Sequence, residues 1–320
     1  MIAYYLFFGA AAFSVTYILT NVIIPRLKAA GITGDDENKP GRPKIAEMGG
    51  LAIVAGLTAG ILLAIFFNTF MGFDFHLVNM LAALITILLI AFIGVVDDLL
   101  NVPQWMKALL PLGAAIPLVA VSAVGSTVIG IPFLGEIDFG IIYIIALVPL
   151  AVAVASNLSN MFAGYNGMEA GMGSIIFLTI FLIAYAHSLP EMAIISIAML
   201  AALLAFLKFN WFPAKVFPGD VGNLTIGGTL AAAVIIGNFE TAGALLMIPY
   251  VIDFFIKLKN RLPHTHSEIR DGKLFPLDGK VKGFVHVAMK MFNGIRERDL
   301  SVLFIAAEGV FAIILFLLYL

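Results

Sequence analysis

Leu81-Ala-Ala-Leu-Ile-Thr-Ile-Leu-Leu-Ile-Ala-Phe-Ile-Gly-Val-Val-Asp97-Asp98 is apolar on every face until it ends in two acids. A helix of roughly 17–25 such residues can cross a bilayer. The run lacks the period-two alternation that a membrane barrel needs. The rest of the chain repeats the pattern, with 62% of its 320 residues hydrophobic and only 12% charged. Ten stretches read as spans: about 2–25, 49–67, 78–96, 108–124, 139–155, 172–187, 191–208, 223–237, 241–258 and 301–320. Only helices and closed barrels satisfy their backbone in lipid. The expected fold is therefore an all-α integral membrane protein of about ten transmembrane helices, forming one polytopic domain over residues 1–320.

Basic residues orient such a chain, because cytoplasmic loops carry the excess of Lys and Arg. All eighteen fall in alternate loops: five in 26–48, one in 97–107, two in 208–222 and ten in 257–300. None remains for the loops near 68–77, 125–138, 188–190 and 238–240. Both termini are then expected outside, with the basic loops in the cytoplasm. The first span lacks a basic leader and is too long for a signal-peptide core, so it reads as retained. The chain has no cysteine, which removes thiol chemistry and Cys-ligated metals. A net charge of -2 gives no reason to expect nucleic acid.

Five polar segments interrupt the hydrophobic pattern, all on the basic side: Gly31 to Glu47, Asp97 to Lys107, Asn157 to Gly171, Asn210 to Asn223 and Arg261 to Lys282. Spans two, four, six, eight and ten begin at that face, and their N-termini suit an anionic, phosphate-rich ligand. Asp97 and Asp98 diverge by about 100° on a helix, so different roles are expected of them. Their ordinary reading is a solvated helix end. Lys107 at a helix N-terminus opposes the dipole unless an anion is bound there, although a snorkelling lysine beside Trp105 is equally acceptable. Asp220 reads either as a cap or, together with Asn160, as part of an oxygen site for Mg²⁺. Asn166-Gly167 reads as a turn, with Glu169 in the first turn of the next helix. His264 and His266 are too few for a convincing transition-metal site. Pro249 should kink or split span nine, and Asp253 can pair with Lys257 four residues on. Gly56-x-x-x-Gly60 reads as helix packing. Glu308, inside span ten, has no evident use.

Taken in order, these strings resemble the polyprenyl-phosphate N-acetylhexosamine-1-phosphate transferase family, over nearly the whole chain. The dolichyl-phosphate branch is the most similar. Its pattern is matched by Ala30-Gly-Ile-x-Gly34-x-Asp36-x-Asn38-Lys39 with Ile45-Ala-Glu47, and by Asp97-Asp98-x-x-Asn101 with Lys107. It is matched again by Asn157-x-x-Asn160-x-x-Ala-Gly164-x-Asn166-Gly-x-Glu169-Ala-Gly171 and by Asn210-Trp-x-Pro213-x-x-Val-Phe-x-Gly219-Asp220. The peptidoglycan branch would show Asp at position 160 and three histidines in the last loop. The dolichyl branch usually has an Arg-containing motif where His264 and His266 stand here. The compact last loop points to a prokaryotic, archaeal-type cell membrane.

The resemblance implies transfer of HexNAc-1-phosphate from UDP-N-acetylhexosamine to polyprenyl or dolichyl phosphate, with release of UMP. It implies Mg²⁺, or Mn²⁺ in its place, held by Asp220 and Asn160. Lys107 would neutralise phosphate charge, and Asp98 or Asp97 would orient or deprotonate the lipid phosphate. Asn166 and backbone near Gly164 would meet the uracil, with Glu47, Asn101 and Asn157 lining the cleft. Arg261, His264 and His266 would face the diphosphate or sugar. The partners expected are the two substrates and membrane lipids, with a homodimer allowed. A phospho-MurNAc-pentapeptide translocase is the nearest rival. A secondary transporter is the rival from another class, but it would carry its ionisable groups at mid-span in two related halves.

Overall fold

A computed structural model describes residues 1–122, 125–131, 134–263 and 265–320. The apolar runs are helices: α1 (Ile2–Ala29), α2 (Gly50–Met71), α3 (Leu77–Leu100), and α4 (Gln104–Ala114) continued by α5 (Ile116–Ser122). A π-helical turn, Tyr143–Leu147, leads into α6 (Val148–Met161). Then come α7 (Met168–Ala186), α8 (Pro190–Asn210), α9 (Gly219–Gly237), α10 (Glu240–Leu246) and α11 (Ile248–Lys259). The short α12 (Phe284–Met291) precedes α13 (Glu297–Tyr319). Among the described residues nine helices are long and apolar enough to span a membrane, or ten when α10 and α11 count as one bent span. This is the helical membrane architecture expected.

Three antiparallel hairpins join the helices: β1 (Thr33–Asp35) with β2 (Lys44–Ala46), β3 (Val128–Ile131) with β4 (Gly135–Asp138), and β5 (Ser267–Arg270) with β6 (Lys273–Pro276). Ala46 also bridges Val216, which ties the first polar loop to the segment before α9.

The centre of the bundle is α9, whose span is 89% buried against 28% for α1. Lipid offers no hydrophobic drive between helices, so close backbone approach through small residues must hold them. A Cβ on Gly227 would lie 2.0 Å from the Ala155 carbonyl oxygen on α6. One on Gly50 of α2 would sit 2.2 Å from the Gly222 nitrogen, and one on Gly94 of α3 2.4 Å from Val221 Cα. Gly56 and Gly60 pack as expected, the first against Thr16 and the second against Ala198 and Phe8. Large apolar side chains such as Phe92 and Leu317 point outward, as lipid-facing residues do.

Span nine breaks at Met247, where α10 and α11 meet at 57°. Pro249 stands in the first turn of α11, the place where a missing N–H does no harm. Asp253 and Lys257 pair at 2.7 Å, also as expected. Glu308 lies midway along α13, fully buried, and neither carboxyl oxygen has a hydrogen-bond partner among the described residues.

Candidate active site

The C-terminal end of α3, the start of α4 and the first turn of α9 converge on one cluster of charge. Asp97 and Asp98 diverge, as the helical period requires. Asp97, 2% exposed, meets Lys107 Nζ at 2.6 Å and accepts the Val102 N–H at 3.0 Å. Asp98 turns the other way and accepts the N–H groups of Asp220 and Val221 at 2.8 and 3.0 Å. The start of α9 is therefore capped by a side chain of α3. Gly219 allows this approach: its φ is +69°, and a Cβ there would lie 2.7 Å from Asp98 Oδ2.

Lys107 reaches Asp220 as well, at 3.4 Å. Two carboxylates share this ammonium, and with Asp98 near by the three acids and Lys107 carry a formal charge of −2 if all are ionised. Glu47 lines the same side: burial, and then the charge of Asp98, raise its carboxyl above the ordinary value. Asn101 closes α3 in a left-handed conformation, with φ 49°.

Asn160 stands at the end of α6 and accepts a hydrogen bond from Asn223 Nδ2 at 3.3 Å. Asn223 lies one turn beyond Asp220 on α9, so this bond brings Asn160 of α6 to the end of α9 that carries Asp220. Ser159 fixes the crossing by donating to the Asn223 carbonyl at 2.7 Å. Asn223 Oδ1 is buried and has no hydrogen-bond partner among the described residues. An orphaned buried oxygen is costly unless a ligand completes it. Asn157 turns back on its own helix, donating to the Ala153 carbonyl at 2.8 Å.

A second network supports the 164–167 loop. Lys39 meets Asp36, Asn166 Oδ1 at 2.6 Å and Glu297 at 3.2 Å, and lies 4.7 Å from the Phe212 ring centre. Asn166 also accepts the Ala214 N–H at 2.7 Å, and its own N–H donates to Glu297 at 2.9 Å. Its amide is thus bonded within the protein. Gly164 has φ +132°, and its carbonyl accepts from Asn38 Nδ2 at 3.0 Å. Glu169 accepts the N–H groups of Gly164 and Tyr165. The Tyr165 hydroxyl lies 3.1 Å from Ser267 Oγ, and burial drives that phenol well above its usual range.

His266 meets Glu37 at 2.8 Å, which brings the last polar loop onto the first. Arg261 is exposed just past α11 and makes no ion pair among the described residues. His264 lies outside the described residues. The polar segments therefore meet on one face, although Arg261 is not tied to the carboxylates. Sequence reading missed Asp36, Lys39, Asn223 and Glu297. The first three sit inside strings already noted, but Glu297 gave no local signal.

The family model for glycosyl transferase family 4 matches residues 80–238, which covers the carboxylate cluster and both asparagines. A Saccharolobus solfataricus protein provisionally named UDP-N-acetylglucosamine–dolichyl-phosphate N-acetylglucosaminephosphotransferase is 38% identical over 95% of this chain and 93% of its own. The Dictyostelium discoideum protein of that name is 27% identical over 95% and 85%. A phospho-N-acetylmuramoyl-pentapeptide-transferase of Halalkalibacterium halodurans is 33% identical over 76% and 78%. With identity of that order running from end to end, this chain belongs to the polyprenyl-phosphate N-acetylhexosamine-1-phosphate transferases of glycosyl transferase family 4.

Proposed function

We propose that this protein transfers GlcNAc-1-phosphate from UDP-GlcNAc to a dolichyl-type polyprenyl phosphate and releases UMP. The observation that carries the reading is the cluster of Asp97, Asp98 and Asp220 around a single Lys107, set in a chain of this family. Two anionic substrates must meet at such a site, and phosphoryl transfer depends mainly on positioning and neutralisation. No covalent nucleophile is needed.

The donor set suits a hard divalent cation. Among the described residues no three His, Asp or Glu side chains converge as a closed cage. Mg²⁺ commonly takes one or two protein oxygens and completes its shell with phosphate and water. Asp220 and Asn160 would hold it, with the orphaned oxygen of Asn223 beside them. When bound, it would neutralise diphosphate charge. Lys107 adds a second positive centre next to Asp220, and Asp97 keeps that ammonium in place. Asp98 fixes the first turn of α9 and so aims Asp220. Asp97 and Asp98 are also the acids available to orient the acceptor phosphate. Burial and the charge of Asp98 hold the Glu47 carboxyl above its ordinary value beside this cluster. The basic loops on this face support a cytoplasmic orientation of the site at a prokaryotic cell membrane.

Asn160 in place of an acid favours a UDP-GlcNAc donor over a MurNAc-pentapeptide one. Purified protein with Mg²⁺, polyprenyl phosphate and UDP-GlcNAc should release UMP, and Asp220→Ala should lower turnover at least 100-fold. Native turnover in Asp220→Ala would remove that residue from its role. Turnover with only the muropeptide donor would move the chain to the other branch, and no UMP from any donor would sink the reading.

A further inference from the structure

α6 ends at Met161, one residue after Asn160. The last carbonyls of a helix form its negative pole and, when buried, need donors from elsewhere. The Met161 carbonyl accepts a hydrogen bond from Lys257 Nζ on α11. Lys257 is itself buried, and its ammonium meets Asp253 Oδ2 at 2.7 Å. Asp253, 1% exposed, accepts the Phe284 N–H at 2.7 Å through its other oxygen. One ion pair therefore joins the end of α6, the half of span nine beyond the bend, and the start of α12. The next residue, Phe162, is enclosed by the rings of Tyr250, Phe284 and Phe304. Gly283 completes the corner, since a Cβ there would lie 2.5 Å from Thr265 Cγ2 and 2.9 Å from Asp253 Oδ1.

A buried ion pair is a weak source of stability, because desolvation offsets most of the attraction. Apolar residues of the same volume would pack this corner as well. They would not supply a directional donor to the carbonyl that follows Asn160. We propose that Lys257, held by Asp253, is a positioning residue that fixes Asn160 against Asn223, one turn from Asp220, and thereby sets the affinity of the site for its divalent cation. The inference rests on the metal reading above. Lys257 acts through the α6 terminus, as outer partners of metal ligands do.

The test uses the full chain in detergent without substrates, with Mn²⁺ binding followed by electron paramagnetic resonance and thermal unfolding measured alongside. Lys257→Met should weaken Mn²⁺ binding roughly 10–100-fold, the range that such outer partners command. Lys257→Arg keeps a donor and should restore most of it. The double variant Asp253→Asn/Lys257→Met leaves no unpaired buried charge, so its unfolding midpoint should recover while Mn²⁺ binding stays weak. Native Mn²⁺ affinity in the double variant would overturn the proposal. So would metal affinity that rises and falls only in step with the unfolding midpoint, since the pair would then be merely structural. A native chain that binds no Mn²⁺ yet releases UMP would defeat the metal assignment, and this inference with it, while leaving the transferase reading standing.

Discussion

Replacing Lys107 by Met removes the only ammonium among the described residues that pairs with this carboxylate cluster, while keeping the length and most of the volume of the side chain. Asp97 then remains with 2% of its surface exposed and one backbone donor, the Val102 N–H at 3.0 Å. Breaking a buried pair from one side costs about 3–5 kcal/mol. Lys107 keeps a fifth of its side chain in solvent, so the lower end of that range applies, about 3 kcal/mol. Asp97→Asn in the same chain removes the stranded charge, and the double variant should recover about 2 kcal/mol relative to Lys107→Met alone. Thermal unfolding in detergent of the native chain, both single variants and the double closes the cycle. Turnover should be lost in every Lys107 variant whatever its stability, because the neutralising charge is gone. Additivity of the two substitutions within about 0.5 kcal/mol would show that Asp97 and Lys107 are not coupled, and the charge arrangement described above would be wrong.

Two further outcomes are expected. The carboxyl of Glu47 is raised above 4.5 in the folded chain, so its contribution to stability is complete below that value and lost as pH rises through the raised one. Glu47→Gln should therefore match the native unfolding midpoint at about pH 4 and exceed it progressively above that, whereas a gap independent of pH would refute the assignment. Gly227→Ala drives a methyl group to within 2.0 Å of the Ala155 carbonyl oxygen. It should cost at least the 1–3 kcal/mol typical of overpacking and depress UMP release by shifting α6, and a variant with native stability and turnover would show that the contact relaxes freely.

The spans were readable because each is a long run apolar on all sides, and lipid leaves such a run no alternative to helix. The break in span nine was readable from Pro249 alone, since the missing N–H is a local property. Convergence of the polar segments was inferred from alternation of basic loops and is seen in contacts such as Asn38 with Gly164. What sequence could not reveal depends on partners far apart in the chain. Glu297 meets Lys39 258 residues away, and nothing around Glu297 announces that meeting. The two backbone bonds that Asp98 accepts from α9 are of the same kind, because a helix start buried in protein needs an acceptor. Asn166 sits in the expected turn, and neighbours from two other segments, Asp36 with Lys39 and Ala214, hold its side-chain amide.

The glycine contacts of α9 carry a mechanical consequence. Its opening turn touches α2 and α3 backbone to backbone, with no intervening side chain that could change rotamer and yield. An element gripped in this way acts as an axle. An opening that admits two bulky substrates would then fall to the outer loops and the broken helix, about a carboxylate held in place.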